Sequence, residues 1–234
     1  GPDCQIINLN AEMNVNKHDI YIEGGKLIGE RDDHTGDGYE LNGIKSYGAN
    51  HIFINGVTIK DTHGDGIFFI DHSDERTPPQ VTNIIIANSE INHAYRNGIA
   101  FEGVDRVRIT NNYIHHTRGI PPHFGIDLEA PKRRNRRPII DHNTLEANRG
   151  GDLIIDTYNT FIEYNTFDPG DLPNINNEAG TPYQYDNTFI SRAHNSTFIM
   201  YRNKTLKQVN NSGCSNMLFC SYSNTPYHIP DFEE

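Results

Sequence analysis

Glu102, Glu129 and Asp156 each close a short segment of the same shape. The segments are Asn97-Gly98-Ile99-Ala100-Phe101-Glu102, Phe124-Gly125-Ile126-Asp127-Leu128-Glu129 and Gly151-Asp152-Leu153-Ile154-Ile155-Asp156. They recur at a spacing of 27 residues, counted from Ile99 to Ile126 to Leu153. Strands from successive repeats that stack in register lie ~4.8 Å apart. Stacked in this way, the three terminal acids form one column, with Asp127 beside it. Glycoside cleavage needs two carboxyls flanking the bond, ~5–5.5 Å apart for retention or ~6.5–9.5 Å for inversion. Neighbours on adjacent strands, or at i and i+2 along one strand, supply such separations. Crowded carboxylates also raise one another's pKa, which keeps one protonated as the general acid. Asp127 with Glu129 or Glu102 is therefore the expected acid–base pair, and Asp156 the neighbour that tunes it.

Other reactive residues sit in the turns that lead into these segments. Asp61-Thr62-His63-Gly64-Asp65-Gly66 places a His and two Asp in a Gly-flexed turn. There His63 and Asp65 can contact substrate, or the carboxylates can hold calcium as a cofactor. In the equivalent turn one repeat later, Tyr95 offers a stacking face for a sugar and Arg96 a guanidinium. His115, His116 and His123 surround Thr117–Phe124. Adjacent residues on a strand point to opposite faces, so His115 and His116 are not expected to share one ion. His116 and His123 are instead candidate substrate contacts, and no metal ligands are assigned. Glu30, Arg31 and His34 suit a salt-bridged loop. Lys132-Arg133-Arg134-Asn135-Arg136-Arg137 is a basic run that can grip an anionic glycan or lie solvated.

The elements that position these residues follow from one repeated phrase. An Asn and two alternating apolar segments are followed by a polar turn, then by Gly-Ile and a third apolar segment. His51-Ile52-Phe53-Ile54 and Val57-Thr58-Ile59 lead to Gly66-Ile67; Asn83-Ile84-Ile85-Ile86 and Ser89-Glu90-Ile91 lead to Gly98-Ile99. Arg106-Val107-Arg108-Ile109 and Asn112-Tyr113-Ile114 lead to Gly125-Ile126. Period-2 alternation sends Ile99/Phe101, Ile126/Leu128 and Leu153/Ile155 to one face and the acids to the other. Three strands per repeat, with no amphipathic helix between them, predict an all-β, single-stranded parallel β-helix. The right-handed rule for parallel crossovers sets its hand. Recurrent Asn at equivalent turns suits a left-handed bend and stacked side-chain amides. Length varies most at 71–80, 117–123 and 130–137, and insertions on one face of a solenoid mark its binding face. The whole chain reads as one domain, with regular coils over about 3–168 and irregular final coils and a cap over about 169–234. Residues 3–29 read as an incomplete first coil, and Phe189-Ile190, Phe198-Ile199-Met200 and Met217-Leu218-Phe219 as late strands.

Composition narrows the partners. The 234 residues carry 20 Lys+Arg against 31 Asp+Glu, a formal net charge of −11. That balance argues against nucleic acid as a partner, and no run of 18 apolar residues exists to insert in a membrane. Trp is absent while Tyr numbers 12, so aromatic sugar contacts fall to Tyr and Phe. Three cysteines leave a pairing of Cys214 with Cys220, or free thiols, both open. Gly1-Pro2 looks like the scar of a cleaved tag, with a native N-terminal part missing.

Two longer stretches carry a family resemblance. Leu27-Ile28-Gly29-Glu30-Arg31-Asp32-Asp33-His34, with Gly38-Tyr39-Glu40 and Gly43-Ile44, is one; Thr117-Arg118-Gly119-Ile120-Pro121-Pro122-His123-Phe124-Gly125-Ile126-Asp127-Leu128-Glu129-Ala130-Pro131 is the other. Within the pectate-lyase-like superfamily they resemble the β-helix domains of bacteriophage tailspikes and pre-neck appendage proteins. The resemblance implies a right-handed fold and a virion-borne or extracellular protein, commonly homotrimeric. Its implied activity is to bind, and often to cleave, a bacterial surface polysaccharide or teichoic acid. A lesser likeness is to alginate epimerases, whose Tyr-Gly-x-Asp-Pro-His strand matches here only at Gly125 and Asp127. Hydrolysis is thus favoured over β-elimination or epimerisation. A calcium-dependent lyase, a teichoic-acid phosphodiesterase and a non-enzymatic receptor-binding spike are the rival readings.

Overall fold

Gly43, Gly66, Gly98 and Gly125, the glycines of the repeated Gly-Ile, occupy the tightest point of each coil. A Cβ on Gly66 would lie 2.5 Å from Ile91 Cγ2, and one on Gly98 would lie 2.4 Å from Ile114 Cγ2 and 2.5 Å from the Gly125 carbonyl oxygen. Only a residue without a side chain lets the strand start against the third-sheet isoleucine of the coil that follows, Ile91 for Gly66 and Ile114 for Gly98. The Ile that follows then points inward. The computed structural model describes residues 6–9, 18–33, 41–71, 81–129, 135–155, 157–158, 160–168, 189–191, 198–201 and 204–205.

These residues form three parallel sheets in a β-helix. The first sheet orders Ile7–Asn8, Ile44–Tyr47, Ile67–Ile70, Ile99–Glu102, Phe124–Glu129, Gly151–Ile155 and Phe189–Ser191 as neighbours. The second runs from Ile20–Glu23 through Ile52–Asn55, Thr82–Ala87, Asp105–Thr110, Ile139–Asp141 and Thr160–Glu163 to Phe198–Tyr201. The third runs from Lys26–Ile28 through Thr58–Lys60, Glu90–Asn92, Tyr113–His115, Thr144–Glu146 and Thr166–Asp168 to Lys204–Thr205. Ile7–Asn8, Ile20–Glu23 and Lys26–Ile28 already place one strand of the first coil in each sheet. Beyond 168, Phe189–Ser191, Phe198–Tyr201 and Lys204–Thr205 add one strand to each sheet, and the first two are the late strands expected at Phe189-Ile190 and Phe198-Ile199-Met200. Met217-Leu218-Phe219 and the three cysteines lie outside the described residues. Among the described residues no helix is long and apolar enough to cross a membrane.

Ile44, Ile67, Ile99, Ile126 and Leu153 pair in register and are completely buried. They form one interior ladder of the expected kind. Phe69, Phe101 and Leu128 make a second, with the two Phe rings edge-on at 5.5 Å. Burial of this apolar column is the main force holding neighbouring coils together.

Two side-chain ladders tie the corners. Between the second and third sheets, the backbone NH of Ser89, Asn112 and Asn143 donates to the side-chain oxygen of Asn112, Asn143 and Asn165 respectively, at 2.9–3.0 Å. Each acceptor belongs to the next coil. Asn88 and Asn111, one residue earlier, hold left-handed φ values of 51° and 53°, and their exposed amides bond in series with Asn55. Between the third and first sheets three bonds run the opposite way, while the Thr117 NH donates forward to Asn148 Oδ1 at 3.2 Å. The NH of Asp65 donates back to Asn42 Oδ1 at 2.7 Å, that of Asn97 to Asp65 Oδ1 at 2.8 Å, and that of Phe124 to Asn97 Oδ1 at 2.8 Å. Stacked amides at recurrent Asn positions are thus present between the second and third sheets, where Asn112 Nδ2 bonds to Asn143 Oδ1 and Asn143 Nδ2 to Asn165 Oδ1; at the other corner Asp65 interrupts the Asn series.

Candidate functional site

The outward side of the first sheet alternates with its interior ladders. One outward column contains Lys45, Phe68, Ala100, Asp127 and Ile154; the next contains Tyr47, Ile70, Glu102 and Glu129. Glu102 and Glu129 are register partners on adjacent strands. Glu102 is partly exposed, and Glu129 is described as backbone only. Asp156 lies outside the described residues. The expected exposed acidic column needs correction at Asp127, which faces outward but is only 1% exposed. Its place beside the corner explains this, because the buried Asn97 donates its Nδ2 to Asp127 Oδ2 at 3.0 Å. Nor is the face purely acidic. The buried Lys45 ammonium lies 4.9 Å from the Tyr47 ring centre and 5.7 Å from that of Phe68.

Asp65 and Arg96 were expected to contact substrate, but the fold already engages them. Asp65 Oδ1 accepts from the Asn97 NH in the corner ladder, and Oδ2 accepts from Arg96 Nη1 at 2.9 Å. Among the described residues no group of three or more His, Cys, Asp or Glu could hold a metal ion. Asp61 and Asp65, the carboxylates considered for calcium, turn to different partners.

The turns from the third sheet to the first stack in register. Backbone bonds from Arg31 to Asp61, Tyr95 to Thr62, Arg118 to Ala94 and Arg149 to Thr117 give one column: Arg31, His63, Tyr95, Arg118 and Arg149. His63 and Tyr95 stack at 4.5 Å with 12° between their planes. The Arg31 guanidinium lies 5.6 Å from the Tyr95 centroid. Two residues earlier in each turn, Asp61, His93 and His116 adopt left-handed φ values of 54°, 61° and 58°. This bend projects them outward from the strand end.

His93 links the two columns. Its Nδ1 lies 2.6 Å from Asp61 Oδ1, and its Nε2 lies 3.1 Å from Arg118 Nε and 2.8 Å from Arg118 Nη2. A guanidinium only donates, so Nε2 accepts, the ring is neutral, and Nδ1–H donates to Asp61. Burial holds the His93 pKa below its usual value; Asp61 opposes that, and Arg31 and Arg118 add to it. The sequence reading missed both His93 and Arg118. Their equivalence to Asp61 and His63 in successive turns was the available signal.

His123 ends the longest of the described turns, where it is 2% exposed and its Nδ1 has no hydrogen-bond partner. Burial first, then the charges of Arg149 and Arg31, push its pKa down to about 4. His116 is exposed, with its Nδ1 2.8 Å from that of His115. The two rings meet despite being sequence neighbours, because the left-handed backbone at His116 ends the strand alternation. His115 also stacks on Tyr113 and reaches Glu90 Oε1 at 3.2 Å. In the basic run, Arg137 forms a two-pronged ion pair with Asp105, and Arg136 is exposed. Residues 132–134, like His34, lie outside the described residues.

A family model described as "right handed beta helix region" matches residues 42–228. The chain belongs to the right-handed β-helix family. A relative in Bacillus subtilis (strain 168), "uncharacterized protein YclG", is 35% identical over 132 residues. That match takes in 49% of this chain and 22% of the relative, so the chain spans well under a quarter of the relative's length. No solved structure matched.

Within this right-handed β-helix the first sheet sets Glu102 and Glu129 in register, and the adjacent turns carry a cationic, aromatic strip. Their connection is short. Asn97 bonds to Asp127 through its amide and to Asp65 through its backbone, so the sheet face and the turns share one hydrogen-bonded corner.

Proposed function

We propose that this β-helix binds a bacterial surface polysaccharide or teichoic acid along its first sheet and cleaves it by hydrolysis. Glu102 and Glu129 act as acid and base, and Asp127 is the buried carboxylate beside them. The observation that carries this reading is the register, which pairs Glu102 with Glu129 one coil apart. Strands so paired are ~4.8 Å apart, close to the ~5–5.5 Å of retaining glycosidases. The turns beside this sheet carry the half-buried Tyr95, stacked on His63, and the exposed Arg118, groups that can line the edge of a glycan groove. The biological setting we infer is that of a phage tailspike or appendage, virion-borne or extracellular, with the chain assembled as a homotrimer.

The test is to incubate the protein with capsule, lipopolysaccharide and teichoic acid preparations and to follow chain length. Shortening of one of them, lost by ~10²–10⁴-fold in Glu102→Gln and in Glu129→Gln, is the expected result. Binding of a glycan without shortening would leave a receptor-binding spike. Shortening that survives both substitutions would remove the acid–base assignment.

A further inference from the structure

The strongest unassigned feature lies off the sheet, where two guanidinium groups have more donors than acceptors. Arg118 is exposed and aims both Nε and Nη2 at the single lone pair of His93 Nε2, at 3.1 and 2.8 Å. One ring nitrogen can satisfy only one of them. The planar fork matches the two oxygens of a carboxylate or phosphate instead. Behind it, Arg31 is 9% exposed, and its Nε has no hydrogen-bond acceptor. Among the described residues the acid paired with it, Asp32, stays at 3.8 Å, and Arg31 Nη1 makes a long 3.4 Å bond to the His93 carbonyl. A buried, under-bonded guanidinium is costly unless an anion completes it.

We propose that Arg118, His93 and Arg31 form a receptor for the anionic group, carboxylate or phosphate, of a glycan. We further infer that binding is coupled to proton uptake. The proposal rests on the glycan-binding reading above and names the class of glycan. The incoming oxygens take the Arg118 fork away from His93. Nε2 then faces the anion with an unused lone pair and takes a proton from solvent, while Nδ1–H still donates to Asp61. The resulting imidazolium lies between two anions. The titratable and charged groups around His93 are Asp61, Asp32, Arg31 and Arg118, with Lys60 next to Asp61 and His116 next in the same column one coil on. In the unliganded protein the two arginines oppose protonation; with an anion bound, their charge is offset. Affinity therefore rises as the pH falls and weakens as it rises through the His93 pKa of the complex.

The test is calorimetric titration of the full chain with three ligands of equal length: an oligouronide, an oligo(glycerol phosphate) and a neutral oligosaccharide. Each is run in two buffers of different ionisation enthalpy. The expected result is that an anionic oligomer binds at least ~10-fold more tightly than the neutral one and takes up protons. Arg118→Ala removes that preference. His93→Asn, whose side chain tolerates the left-handed backbone, removes the proton uptake, and circular dichroism verifies that both variants are folded. Which anionic oligomer binds separates carboxylate from phosphate. Equal binding of neutral and anionic oligomers, unchanged by Arg118→Ala, overturns the receptor while leaving the glycan-binding reading standing. Failure of every oligomer to bind, with no shortening of the polymers, overturns both.

Discussion

Asn97→Asp isolates the contact that joins the sheet face to the turns. The wild-type side chain is fully buried and does two jobs: its oxygen accepts from the Phe124 NH at 2.8 Å, and its amide donates to Asp127 Oδ2 at 3.0 Å. A carboxylate keeps the first, as Asp65 does for the Asn97 NH at 2.8 Å. It destroys the second, because two carboxylate oxygens at that distance cannot both be ionised. One of the pair must retain a proton, and its folded pKa rises by ~2–3 units above the unfolded value of ~3.9. That amounts to ~3–4 kcal/mol lost at pH 7. A raised folded pKa means that the penalty is absent below the unfolded pKa, grows as the pH rises through the folded pKa, and then levels off. Urea unfolding of variant and wild type at pH 4, 5, 6, 7 and 8 reads this directly, with an unchanged m-value verifying that both unfold alike. Asn97→Ala is the control: it orphans the Phe124 NH at a cost of ~1–3 kcal/mol and takes one donor from Asp127, so its pH dependence should be smaller than that of Asn97→Asp, which adds a like charge. A stability difference for Asn97→Asp that stays flat from pH 4 to 8 would refute the Asn97–Asp127 contact, and with it the account of why Asp127 is buried.

Two further outcomes test the frame around the site. Gly98→Ala places a methyl 2.4 Å from Ile114 Cγ2 and 2.5 Å from a backbone oxygen, and should cost ~3 kcal/mol in denaturant unfolding; a loss below ~1 kcal/mol would show that the corner yields. His123, with its pKa lowered to about 4 from an unfolded ~6.5, favours the folded state above pH ~6.5 and loses that stabilisation as the pH falls towards 4. His123→Asn, which suits the left-handed φ of 55°, should therefore flatten the acid limb of the stability profile by about 3 kcal/mol. An unchanged limb would place that titration elsewhere.

The interior was legible from sequence because its signal is periodic. Ile99, Ile126 and Leu153 share an alternation, a preceding turn and a spacing, and only a stacked parallel coil satisfies all three. The corner amides were legible for the same reason, since Asn112, Asn143 and Asn165 open equivalent strands. Asp127 shows where the method stops: strand parity says which way a side chain leaves the sheet, not what lies over it. Arg31, His63, Tyr95, Arg118 and Arg149 stack in space but differ in type and follow no hydrophobic rhythm. Their alignment becomes visible only once the turns are superimposed. His115 and His116 failed the alternation rule because a single left-handed residue ended the strand between them.

The two corner ladders point in opposite senses along the solenoid. At one corner the backbone NH groups of Ser89, Asn112 and Asn143 reach forward to the coil that follows; at the other those of Asp65, Asn97 and Phe124 reach back to the coil before. The coils of Asp65, Asn97 and Phe124 are therefore debtors in both directions. Cutting away the coils up to Asn42 strands the Asp65 NH, and cutting away those from Asn165 onward strands the Asn143 NH. Shortening the solenoid is thus as unwelcome from one side as from the other.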